Sequence, residues 1–254
     1  MMMTRFYRLS LIVALLVLLT SCAVAPKVDP AKINKAARIN TELGVMYLRK
    51  GQHELSMQKL SKAIEQDVDY APAHESIAIL YEELGEIGKA DKHYRRALAI
   101  EDDSSSTLNN YGQFLCRQNK LERADKYFQR AFKDPLFAHP ELIYTNAGIC
   151  ASQQPDVQKA ETYFRQALQV MPEYLPALKQ MALLTFSQDN YLGSRAYLQR
   201  YGSRAPLTAD LLWIALRVEH RLNDTIAEKK YATDLKRRYP QSKEAGFLKK
   251  WKNE

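Results

Sequence analysis

The chain has 254 residues, 37 of them Lys or Arg and 29 Asp or Glu, for a formal net charge of +8. Its 9 glycines form no glycine-rich phosphate loop, and His53, His74, His93, His139 and His220 offer no i, i+4 pair to hold a metal. Neither Cys116 nor Cys150 has a histidine base close in sequence, so the chain is expected to have no enzyme activity, no metal and no small-molecule substrate.

The first element is an N-terminal leader. Arg5 and Arg8 precede Leu9 to Leu19, an apolar run broken only by Ser10. That run is about half of the roughly 20 residues a bilayer span needs, and a positive start, a short apolar stretch and small residues suit a secretory signal. Leu19-Thr20-Ser21-Cys22 resembles a bacterial lipobox. The resemblance implies a signal peptide over 1–21, diacylglycerol on the Cys22 sulfur, cleavage before it and a third acyl chain on the new amine. This covalent lipid is the only non-protein group expected, and no other cofactor is. An uncleaved anchor or an ordinary signal is the alternative. Three chains tether durably where one binds marginally. Ala23 in place of Asp after the cysteine implies, by the sorting pattern of Gram-negative lipoproteins, an outer-membrane, periplasm-facing location. Cleavage leaves 233 residues, enough for one large or two small domains, with 35 Lys/Arg against 29 acidic residues and a net charge of +6. Nucleic acid is then not an expected partner; phospholipid headgroups, peptidoglycan or an acidic protein segment are. Residues 22–29 form a lipidated linker, and Asp29-Pro30 reads as an N-cap with proline at the first helical position, opening a domain over 30–254.

Helical elements follow in a repeat. Small residues recur at Gly44, Ala78, Gly112, Gly148 and Ala182, at Ala63, Ala97, Ala131 and Ala167, and at Ser56, Ala90, Ala124, Ala160 and Ser194, in steps of 34 with a single 36. Aromatics keep the same beat at Tyr47 and Tyr81 and at Tyr94, Phe128 and Phe164, and prolines at Pro172, Pro206 and Pro240. A small residue is needed where two antiparallel helices approach closely, and an aromatic fills the gap beside it. Breakers such as Lys50-Gly51, Leu84-Gly85, Gln118-Asn119, Gln153-Gln154-Pro155, Asp189-Asn190 and Asn223-Asp224 separate the helices. The pattern resembles the tetratricopeptide (TPR) repeat. It implies an all-α right-handed superhelix of about six helix–turn–helix units at 37–70, 71–104, 105–140, 141–174, 175–208 and 209–242, with a cap at 243–254. The two extra residues of the third unit fall in KDPLFAHPEL, and Tyr201, Leu216, Glu228 and Leu235 drift from the pattern in the last two.

Mapping the TPR pattern onto the chain places Arg38, Thr41, Val45, Leu48 and Arg49 in a concave groove, followed by Glu75, Ile79, Glu82 and Glu83, then Asn109, Gln113 and Arg117. Ile149, Lys179, Leu183, Phe186, Trp213 and Arg217 continue it. Val45, Leu48, Ile79, Leu183, Phe186 and Trp213 are apolar where water is expected, and such patches rimmed by charge mark partner sites. The competing readings are a groove closed by the chain's own tails and a register wrong by one position. Cys116 and Cys150 lie on first helices of neighbouring units. An oxidising compartment favours a disulfide between them, with two buried free thiols as the alternative. Residues 229–252 carry nine Lys/Arg against Asp234 and Glu244, a solvated cap face or a surface for anionic headgroups or an acidic partner.

Lipobox, repeats and cysteines together resemble the type IV pilus pilotin lipoprotein family (PilF/PilW). The likeness is carried most specifically by NNYGQFLC ending at Cys116, NAGIC ending at Cys150, and ADKYFQRAFKDPLF between them. The resemblance implies a partner, the secretin subunit of the type IV pilus system. It also implies promotion of secretin localisation and multimerisation in the outer membrane, hence pilus assembly and twitching motility. The alternative is a generic outer-membrane TPR lipoprotein scaffold that docks cell-wall enzymes.

Overall fold

The computed structural model describes residues 34–154 and 157–251. The expected signal peptide at 1–21, the lipidation site Cys22, the linker 22–29 and the Asp29-Pro30 cap lie outside the described residues, as do Pro155 and Lys252. Among the described residues there are thirteen α-helices and no strand. Twelve pair as antiparallel hairpins: α1 (Lys35–Arg49) with α2 (His53–Gln66), α3 (Ala71–Glu83) with α4 (Ile87–Ile100), and α5 (Ser105–Arg117) with α6 (Leu121–Ala131). The series continues with α7 (Pro140–Ala151) and α8 (Gln158–Val170), α9 (Leu175–Ser187) and α10 (Tyr191–Gly202), and α11 (Ala209–Arg221) and α12 (Thr225–Arg238). The thirteenth, α13 (Lys243–Trp251), packs on α11 and α12 and closes the stack.

A large–small complement sets the hairpin geometry. Gly44 faces Leu60, Gly112 faces Phe128 and Gly148 faces Phe164; a Cβ at these glycines would lie 2.6, 2.8 and 2.4 Å from the facing side chains. Ala78 with Tyr94 and Ala182 with Leu198 occupy the same two positions, all buried. In the last hairpin the sizes are exchanged, Leu216 standing at the small position and Ala232 at the large one, both buried. What reads as drift at Leu216 is therefore a volume-conserving swap, which close-packed interiors tolerate. The serines of the small-residue ladder add a polar clamp. Ser56 Oγ donates to the Gly44 carbonyl at 2.9 Å, and Ser194 Oγ to that of Ala182 at 2.8 Å.

The turns inside five of the six hairpins share one backbone device. Gly51, Gly85, Asn119, Asp189 and Asn223 all have positive φ, between 56° and 75°, the left-handed conformation that ends a helix and is least costly for Gly, Asn and Asp. Asn34, Ser104, Asn190 and Asp224 cap helix N-termini through side-chain oxygens. Cys116 and Cys150, both buried, are joined by a disulfide across α5 and α7 with Cα atoms 5.7 Å apart, and Gln153 Nε2 donates to the Cys116 sulfur at 3.3 Å.

Candidate functional site

The first helices of the hairpins line the inner curve. α1 packs beside α3, α5 beside α7, α7 beside α9, and α9 beside α11, whereas no second helix packs side by side with the next second helix among the described residues. Close approach on one side and separation on the other bends the stack, and the closely spaced helices are the inner ones.

At the N-terminal end this inner face opens into a cleft of about 610 Å³ lined by Thr41, Val45, Met46, Arg49, Tyr70 and Pro72. Val45 is half-buried and Arg49 exposed, both on the cleft wall. Leu48 is a correction to the sequence reading. It is only 9% exposed and belongs to a core cluster with Leu60, Ile77 and Leu80, so it supports the groove from behind. The helical period explains the miss: Leu48 is three residues from Val45, close enough on the helix for its tip to turn under the neighbouring α3. Ile79 is likewise partly buried against the core.

The middle of the groove is polar and internally knit. Glu75 accepts hydrogen bonds from Ser106 Oγ (3.0 Å), Thr107 Oγ1 (2.9 Å) and Asn110 Nδ2 (2.5 Å), all on or beside α5. Arg117 straddles Glu82 through Nε and a terminal nitrogen, at 2.5 and 2.9 Å. Their hydrogen bond holds the guanidinium above its usual pKa despite partial burial. Tyr94 below is pushed far up, first by burial and then by the Glu82 charge. Asn146 Nδ2 donates to Asn109 Oδ1 at 3.0 Å, and Gln113 Nε2 to Asn110 Oδ1 at 3.4 Å. Glu82 and Gln113 thus face the groove already engaged with neighbouring side chains rather than free in water.

Towards the C-terminus Leu183 and Phe186 are half-buried, and Arg217 sits over the Phe186 ring at 4.6 Å. Trp213 is not an open anchor as expected. The capping helix covers one side of it, with Trp251 at 5.6 Å and Phe247 at 6.0 Å between ring centroids. This is a partial form of closure by the chain's own end. It follows from α13 taking the place that the first helix of a seventh hairpin would occupy.

Several residues of the face were not legible beforehand. Met46 and Tyr70 reach the cleft from positions that the mapped pattern assigns elsewhere, and Asn110 and Asn146 join the polar belt because adjacent first helices stack in register. His74 and His93, read as scattered, meet between α3 and α4 with their Nδ1 atoms 2.9 Å apart.

Two tetratricopeptide repeat family models match, at residues 105–134 and 71–104. The type IV pilus assembly protein PilF of Pseudomonas aeruginosa is 30% identical over 241 residues, spanning 93% of this chain and 96% of the relative. An uncharacterized protein of Haemophilus influenzae is 30% identical over 139 residues, 54% of this chain and 78% of its own. Among solved structures, that of PilW, described as a widely conserved type IV pilus biogenesis factor, aligns with a TM-score of 0.78 at 29% identity, covering 85% of this chain and 99% of that one. The P. aeruginosa PilF structure gives 0.75 at 29% identity over 84% and 96%.

Proposed function

Because the chain belongs to the family of PilF and PilW, TPR proteins of type IV pilus biogenesis, we propose that it is a pilotin-type lipoprotein. In this reading lipid on Cys22 holds it on the periplasmic side of the outer membrane while its groove takes up a subunit of the pilus secretin. The observation that carries the reading is likeness along nearly the whole chain to pilus biogenesis proteins, rather than to isolated repeats.

The physical logic is a tether beside a receptor. The open cleft lies on the first hairpin, and the chain from Cys22 to Asn34 can extend no more than about 40 Å. A secretin segment held there is confined near one membrane, which raises its effective concentration for assembly without further contacts. The cleft supplies apolar Val45 and Met46 for side-chain anchoring, and Arg49 at its rim. The polar belt of Glu75, Asn109 and Asn110, already hydrogen-bonded within itself, holds the first helices in place beside the cleft.

The test is deletion of the gene followed by complementation. Loss of secretin multimers from the outer membrane, restored by wild type but not by Cys22→Ser, is expected. Normal multimers in the deletion strain, or full restoration by the unacylated protein, would overturn the reading. Altered wall cross-linking with intact multimers would replace it with a scaffold for cell-wall enzymes.

A further inference from the structure

The C-terminal corner of the inner curve differs from the rest of the groove. Arg217 on α11 lies over Phe186 at 4.6 Å and beside Trp213 at 6.0 Å, half-buried, with no carboxylate partner among the described residues. Every acidic residue from 209 to 251 is already engaged. Asp210 pairs with Lys179, Glu219 and Asp224 with Arg195, Glu228 with His220, Asp234 with Arg237, and Glu244 with Lys243. Arg221 on α11 and Lys250 on α13 remain without a counter-charge among the described residues. Phe247, three residues from Lys250 on the same helix, is 46% exposed although it touches Trp213.

We propose that this corner binds a carboxylate-bearing peptide segment of a protein partner, the carboxylate on Arg217 and a bulky apolar side chain of the same segment on Phe247. The inference rests on the reading of the groove as a partner-capture surface. The Phe186 ring under the guanidinium and Trp213 beside it restrain the side chain, so its carboxylate-binding fork has less rotamer freedom to lose on binding. Rings behind the arginine keep water from one of its faces, which strengthens a charge-assisted hydrogen bond at its edge. A bilayer headgroup layer fits less well. Arg217 lies on the inner curve of the stack, where a flat surface does not reach, whereas an extended chain does.

The two tryptophans of the chain, Trp213 and Trp251, both stand at this corner, so intrinsic fluorescence reports on it directly. The titration uses the full mature chain and an N-acetylated, C-amidated hexapeptide Glu-Phe-Glu-Leu-Glu-Glu, with the all-Gln version, equally blocked at both ends, as control. Saturable change with the acidic peptide, none with the control, and affinity at least about tenfold weaker in Arg217→Gln are expected. Arg217→Lys, which keeps the charge but not the fork, should fall between. Circular dichroism checks that both variants remain folded. No saturable change in wild type, or equal affinity in Arg217→Gln, overturns the proposal. So does binding confined to phosphatidylglycerol vesicles, and so does a fluorescence change that tracks self-association in sedimentation. Secretin recovery is scored separately. Loss of peptide binding with normal recovery separates this corner from the pilus reading, whereas retained peptide binding with no secretin recovered sinks the pilus reading alone.

Discussion

Gly148→Ala puts the large–small complement to a direct test. The new Cβ would lie 2.4 Å from Phe164 Cε1 and 2.6 Å from Cδ1. Optimal carbon–carbon separation is about 3.5–4.0 Å, so more than an ångström of overlap must be relieved. Phe164 is 1% exposed and cannot swing into solvent, so α7 and α8 must part or the ring must leave its rotamer. Overpacking of this kind costs about 1–3 kcal/mol, and replacing a mid-helix glycine returns up to about 1 kcal/mol of helix propensity. The net expectation is a loss of about 1–2 kcal/mol. Gly246→Ala is the internal control. It lies inside α13 with nothing within 4 Å of its new Cβ, so only propensity acts and stability should rise by up to about 1 kcal/mol. Urea unfolding followed by circular dichroism measures both, and Gly148→Ala with Phe164→Leu should recover most of the loss. If Gly148→Ala is as stable as Gly246→Ala, close helix approach is not what the small-residue ladder provides.

Cys150→Ser, or reduction of the wild type, should lower stability by about 3–4 kcal/mol in the chain-entropy model for a loop closed by cysteines 34 apart; a urea midpoint indifferent to reductant would exclude the cross-link. Leu48→Asp buries a carboxylate in the first core cluster and should cost at least about 3 kcal/mol, whereas Val45→Asp should keep full helicity and lose partner recovery; the same helicity for both by circular dichroism would place Leu48 on the surface. The Val68 carbonyl can only accept, so His74 Nε2 donates to it and His74 Nδ1 accepts from His93. Burial, above all, lowers the pKa of both imidazoles, that of His93 from 6.5 to about 4, so the unfolded chain protonates first. Stability should therefore be full above about pH 6.5 and fall as pH drops towards 4, by about 2 kcal/mol, His74 being buried and His93 partly so, and the urea midpoint of His93→Gln should lose most of that slope.

The period of 34 was enough to fix the all-helical stack, because each repeat needs a small residue at one crossing and the interval between crossings is covalent. Turn positions followed for the same reason: Gly51, Gly85 and Asn119 sit at breakers visible in the sequence. Side-chain fate was a different matter. Leu48 and Val45 lie on one helix with the same chemistry, and only the placement of α3 buries the first and leaves the second at the cleft. Leu216 seemed a fault until Ala232 was found to give up the matching volume. The polar belt, the His74–His93 contact and the cover over Trp213 join residues 19 to 38 apart in the chain. A local periodicity determines which residues face inward on one helix. Which of them another helix then covers depends on how neighbouring hairpins stack, and that is a property of the packed molecule alone.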